Sequence, residues 1–257
     1  MNGWRKFRSS LLVFGMLVLL LCGTAQAKPA DSWNAAWDGI DAVYDGLTMV
    51  QSLVKQESAE ITALRKRNNE QLSAINAKVK AIDRPLLDRL AAEGESLQRK
   101  HAALLENYSS LGKQVTAAKK RKDNKAADLL ELKRNQLKPA ATAAAAEIKA
   151  KKDALAAAKK ATAGKAKIVK DALIPVQTLK KQITAENKTI AAVRKVLSAA
   201  DKRYKSSVKQ GDAVGALLEL KTVSDQTNQV HASLKKVYEW EKKIAQTLAS
   251  AATKLPK

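Results

Sequence analysis

The feature that most constrains this chain is a seven-residue periodicity of apolar side chains running through most of its length. From Trp33, steps of seven give Trp33, Ile40, Leu47, Val54, Ile61, Asn68, Ile75 and Ile82, and the set four residues later includes Trp37, Tyr44, Leu72, Val79 and Leu86. Alternating steps of four and three keep one face of a helix against a partner and impose a left-handed supercoil. Past Ile82 the series resumes at Leu90, Leu97, Leu104 and Leu111. The eight-residue step, bridged by Leu86, predicts a stutter that unwinds the coil locally without ending the helix.

A second series runs through Ile148, Leu155, Thr162, Val169, Val176, Ile183, Ile190, Leu197 and Tyr204, and keeps its phase past Pro175. Proline in a helix interior removes a hydrogen bond and costs about 3 kcal/mol, so Pro175 predicts a kink rather than a stop. The same reasoning applies at Pro85, although Asp83 is placed to cap a new helix there. A third series is Val223, Val230, Val237 and Ile244, with Leu220, Leu234 and Leu248 beside it. Between the stripes lie two polar clusters, Lys122-Asp123-Asn124 and Gln210-Gly211-Asp212, whose aspartates can each cap the helix that follows.

These signals predict an all-α fold, an elongated antiparallel coiled coil of three helices at about 31–121, 125–209 and 213–253. At 1.5 Å per residue the first would be about 135 Å long. The third reaches only halfway along it. A three-helix base with residues from about 75 to 165 projecting as a two-helix arm is therefore expected, the alternative being a five-helix up-and-down bundle with turns at Pro85 and Pro175. The sequence Leu-Leu-Glu-Leu-Lys occurs at 129–133 and again at 217–221, each time just after a predicted turn. With Pro85 and Pro175 also spaced 90 apart, this suggests duplication of a helical hairpin.

The first 27 residues read as an address. Arg5, Lys6 and Arg8 precede an apolar run from Leu11 to Leu21, and Ala25-Gln26-Ala27 supplies the small residues of a cleavage site. Residues 1–27 are expected to be a secretory signal peptide and 28–257 a single elongated helical domain, secreted or held in the cell envelope. Cys22 opens a second possibility, a lipid anchor, but Leu21 precedes it where such signals usually place Gly, Ala or Ser. Residues 28–257 contain no cysteine, so stability must come from packing rather than disulfides.

Composition sharpens the functional question. Of the 257 residues 46 are alanine, which favours helices but buries little area per side chain. Only His101 and His231 are present, in no metal-binding spacing, and the ten glycines form no phosphate loop. The expectation is a non-enzymatic protein without cofactor or metal. The full chain carries a formal charge of +22, and removal of Arg5, Lys6 and Arg8 leaves 44 basic against 25 acidic residues, or +19. Lys119, Lys120, Arg121, Lys122 and Lys125 gather at the predicted tip of the first hairpin. Nine lysines lie between Lys138 and Lys170, and Lys149, Lys152, Lys159 and Lys160 spread over its polar face. These nine named residues form the candidate polyanion site. The large side chains Trp33, Trp37, Tyr44, Tyr204, Tyr238 and Trp240 are assigned to core and end packing.

The signal followed by a Lys- and Ala-rich heptad chain resembles, in a general way, the secreted or lipid-anchored helical envelope proteins of Gram-positive bacteria, including those described as cell-wall-binding lipoproteins. The resemblance rests on pattern over 28–257 and carries no diagnostic motif. It implies a structural or spacer element whose partner is an anionic cell-wall polymer or a phospholipid surface, with extracellular nucleic acid a less accessible partner. The exported basic arm is also similar to periplasmic holdase chaperones with coiled-coil tentacles, which build on a β-stranded body for which no alternating pattern exists here. A protein-interaction scaffold, with a helical partner or self-association through the stripes, is the alternative function.

Overall fold

In the computed structural model the described residues are 29–256, and every regular element among them is an α-helix. The predicted signal peptide and Cys22 lie outside these residues. In chain order the helices are α1 (Pro29–Ala81), α2 (Arg84–Lys120), α3 (Asn124–Ala172), α4 (Ile174–Gln210) and α5 (Ala213–Thr253). Only Ile82 and Asp83 separate α1 from α2, and only Leu173 separates α3 from α4. The five segments are thus three long helices, two of them bent.

Both hairpin turns fall where the polar clusters predict them. Asp123 accepts a hydrogen bond from the Ala126 backbone N–H at 3.0 Å, and Asp212 accepts one from Gly215 at 2.8 Å. Each carboxylate satisfies one of the orphan donors of a helix N-terminus. Gly211 ends α4 at φ 70°, a left-handed geometry that side chains with a Cβ resist.

Between α1 and α2 the helix is interrupted at Ile82 and Asp83, where the stutter predicts a continuous helix. Asp83 adopts φ 54° and its side chain makes no capping bond to α2, contrary to the capping role the sequence suggests. Its carboxylate reaches across to α3, accepting from Thr162 Oγ1 at 2.8 Å and from Lys165 Nζ at 2.8 Å. At the other bend Leu173 stays near helical geometry and Pro175 enters the first turn of α4, where a missing N–H costs nothing. That junction is the kink the unbroken phase predicts.

Ion pairs fix the directions. Arg65 and Glu57 on α1 meet Glu241 and His231 on α5, so these helices run parallel. Arg203 and Glu186 on α4 meet Glu219 and Lys236, so α4 and α5 are antiparallel. Lys119 with Glu131 and His101 with Glu147 place α2 and α3 antiparallel. The base consists of α1, α4 and α5, and α2 with most of α3 forms the arm.

The base holds the core. The main cluster joins Ile61, Ile75 and Val79 of α1 to Val176, Ile183 and Ile190 of α4 and Val230, Val237, Ile244 and Leu248 of α5. A second cluster packs Leu47, Ala200, Leu220 and Val223 near the α4–α5 turn. On the outgoing chain the base extends to Ile82, further than the expected boundary near 75. The reason is the register of the parallel pair: Glu241 of α5 sits beside Asn68 of α1, so the last turn of α5, with Ala251 buried, comes level with Val79 and Ile82. On the returning chain Ala166 and Val169 already join this core.

One polar layer interrupts it. Asn68, 2% exposed, donates to Glu241 Oε2 at 2.8 Å and to the Glu241 carbonyl at 2.9 Å, while Arg65 Nε donates to Oε1 at 2.7 Å. A buried polar residue in a heptad seam specifies register.

The expected burial of the first-helix aromatics is not observed. Trp33, Trp37 and Tyr44 are 48%, 60% and 53% exposed, the two tryptophan rings stacked at 5.7 Å. Ala36, Ile40, Val43 and Leu47 occupy the inward face instead. Gly39 faces Leu217, so the turn at Gly211 is level with residues 33–34 and no hairpin extends far enough to cover Trp33. Tyr204, Tyr238 and Trp240 do pack partly buried against the core, as expected.

Candidate polyanion-binding surface

The tip of the arm is built by the end of α2 and the start of α3. Lys119 and Lys120 lie in the last turn of α2, where positive charge complements the partial negative charge of the helix terminus. The Arg121 N–H caps the α2 carbonyls, Lys122 turns the chain at φ 61°, and Asp123 starts α3. Five basic residues therefore lie within seven positions, all exposed.

Along α3 the heptad phase sorts the remaining lysines. With Ile148 and Leu155 facing α2, Lys152 and Lys159 fall on one line along the outer flank, about 10 Å apart at one heptad. Lys149 and Lys160 lie beside that line. All four are exposed. Lys138 falls on the same line as Lys152 and Lys159, and heptad phase alone would have added it to the candidate set. The other lysines of this stretch divide differently. Lys151 crosses to Glu93 at 2.7 Å and Lys165 to Asp83, so the first ties α3 to α2 and the second ties α3 to the α1–α2 junction.

Two of the nine candidates already have a counter-ion. Lys119 donates to Glu131 at 2.9 Å, and that hydrogen bond holds the Glu131 carboxyl below its ordinary pKa. Lys149 donates to Asp153 at 2.7 Å, which raises the lysine's own pKa. Lys120, Arg121, Lys122, Lys125, Lys152, Lys159 and Lys160 have no ion-pair partner among the described residues. Their charges are uncompensated by direct contact, three near the tip of α2 and its turn, one at the start of α3 and three along α3. The arrangement can attract an extended anion.

Positive charge is not confined to the arm. Residues 173–257 carry 16 basic against seven acidic residues, whereas residues 29–54 contain Asp31, Asp38, Asp41 and Asp45 and no Lys or Arg. The start of α1 is thus an acidic, aromatic end on an otherwise basic molecule. Composition held this signal, but averaging over the chain hides it.

Elsewhere His101 meets Glu147 at 3.0 Å and His231 meets Glu57 at 3.5 Å, each a two-residue contact between helices. Among the described residues no group of three or more His, Cys, Asp or Glu is placed to hold a metal ion, and no helix is long and apolar enough to cross a membrane. No family model, no curated protein and no solved structure matches the chain.

Proposed function

We propose that this chain is an exported, non-enzymatic helical protein of the cell envelope whose arm binds an anionic surface polymer or phospholipid surface and acts as a spacer. The observation that carries this reading is the set of seven exposed basic residues on the arm that have no ion-pair partner among the described residues. Like charges held about 10 Å apart on a helix repel one another weakly, and a polyanion laid along the flank relieves that repulsion.

Retention of the chain on purified cell wall and on anionic vesicles, followed at rising salt, tests the reading. Binding is expected to fall steeply between about 0.05 and 0.5 M salt, as the screening length shrinks from roughly 14 to 4 Å. Replacing Lys152, Lys159 and Lys160 with Glu should remove much of the low-salt retention. Retention indifferent to salt and to these charges would rule out the electrostatic mechanism. The second reading, a protein-interaction module, is favoured by large apolar side chains left exposed at both ends of the molecule.

A further inference from the structure

The repeated Leu-Leu-Glu-Leu-Lys segment allows one hairpin to be compared with the other. In both copies the glutamate reaches back across its hairpin, Glu131 to Lys119 at 2.9 Å and Glu219 to Arg203 at 2.6 Å. The first and last leucines differ, while the middle one is 62% exposed in the base, as Leu218, and partly buried at the tip, as Leu130. Leu217 lies against Gly39 of α1, and Leu220, 1% exposed, is buried with Leu47 of α1. Their counterparts Leu129 and Leu132 are 55% and 67% exposed. The cause is the third helix. In the base α1 covers this side of the hairpin, and at the arm tip nothing among the described residues does.

Leu129 and Leu132 follow Lys125 at helical spacing, so the three share one stripe beside the Lys122 turn. At the opposite end of the molecule Trp33, Trp37 and Tyr44 form an exposed stripe on α1, bordered by Asp38, Asp41 and Asp45. One surface is apolar, with Lys122, Lys125 and Lys133 near it against one acid, Asp128, on its flank, and the other is aromatic with only acidic charged neighbours. The whole of α1 and α2 lies between the two ends, and the arm does not fold back, so one copy cannot join its own ends.

We propose that the arm tip of one copy docks on the start of α1 of a second copy, head to tail. Leu129 and Leu132 pack against Trp33, Trp37 and Tyr44, and Lys122 and Lys125 meet the aspartates or the tryptophan faces. The acidic α1 segment of the second copy supplies the covering helix that the α4–α5 hairpin receives from its own chain. Each copy carries one surface of each kind, so the contact is heterologous and propagates into open chains unless a rotation closes a ring. The contact shares Lys122 and Lys125 with the polymer-binding surface, but its acidic half contains none of those lysines, so substitutions in α1 test it separately.

Cysteine pairing gives the test, since Cys22 is the chain's sole cysteine. Chains expressed from the full-length sequence with Cys22→Ser carry either Asp41→Cys or Leu132→Cys, and their processed N-termini are read by mass spectrometry. Oxidised together, the two variants should give a cross-linked dimer at several times the yield of either alone. Sedimentation of the native chain should show mass rising with concentration at low salt. Association should weaken at least tenfold with Trp37→Ala plus Asp41→Lys, while polymer retention of that variant stays unchanged. A chain that remains monomeric at all concentrations, or cross-links confined to Asp41→Cys with itself, would overturn the proposal. Loss of polymer retention with association intact would overturn only the preceding one.

Discussion

Single residues decide how the base is registered and how the arm is attached. Glu241 is 3% exposed and is held by Asn68 and Arg65, so its replacement by leucine keeps the Asn68 bond to the residue 241 carbonyl but deprives the other Asn68 N–H and the Arg65 guanidinium of their carboxylate. Glu241→Leu should cost about 2–3 kcal/mol in denaturant unfolding, the scale of losing charge-assisted hydrogen bonds and leaving a buried donor unmet. Adding Asn68→Leu should recover part of the loss, because two partners removed together leave less unsatisfied than one; strictly additive losses would show that the layer is not coupled. Asp83 controls the junction. Hydrogen bonds, first from Lys165 and then from Thr162, hold its pKa below the ordinary value. A carboxyl whose folded pKa lies below its unfolded value of about 3.9 stabilises the fold above that pH and loses the contribution as pH falls through the folded value. Asp83→Asn tolerates the left-handed backbone and removes the charge together with one of the two acceptor oxygens. The difference in Tm between wild type and Asp83→Asn should therefore be positive at pH 6, shrink below about pH 4 and vanish in stronger acid. A difference independent of pH would assign the effect to backbone geometry instead.

At the scale of elements the two halves differ in what they bury. Thirteen of the 41 residues of α5 are buried against three of 37 in α2. Four of the arm's buried positions are alanines, Ala118, Ala127, Ala141 and Ala144, which permit close approach but contribute little area. The arm should open below the free energy of global unfolding, so hydrogen exchange should be faster across residues 90–160 than across 220–250. Leu220→Ala should lower global stability by about 3 kcal/mol, while Leu111→Ala should accelerate exchange in the arm and leave the base transition in place. Uniform protection in both halves would contradict this division. The heptads made the division legible, since Ile61, Ile75, Val169, Val176, Ile183, Val230 and Ile244 are all buried where the spacing puts them. The turns were legible because Asp123 and Asp212 act on their own helices. Asp83 was not, since its partners Thr162 and Lys165 belong to a different helix of the arm and no local pattern encodes them. The exposure of Trp33 depends on where another hairpin ends, and the pairing of Lys119 and Lys149 depends on which carboxylates face them. The candidate site could therefore be located from sequence as a basic arm, but its unpaired charges could not be separated from its paired ones.

The whole molecule follows from joining a well-packed base to a lightly packed arm along uninterrupted chain. The arm, α2 with most of α3, extends beyond the end of α5, and two features prevent collapse. Pro85 and Pro175 lie in the first turns of α2 and α4 and set short junctions rather than loops, and Asp83, Lys165 and Thr162 tie the two arm helices together where they leave the base. A base of about 80 Å and an arm of about 55 Å, at 1.5 Å per residue, set the scale for scattering. A compact domain of this size has a radius of gyration of about 17 Å. The monomer should give a value above about 30 Å, a bent rod falling somewhat short of a straight one. Scattering must be recorded at high salt and low concentration, where head-to-tail contacts between acidic and basic ends are screened and the measured length belongs to one chain. A value close to that of the compact domain would mean that the arm lies back along the base. Its lysines would then face α4 and α5, and the extended surface offered to a polyanion would not exist. A radius in the extended range that rises further as salt is lowered would tie the two proposals to one shape, a rigid arm in each copy and a contact that lengthens it between copies.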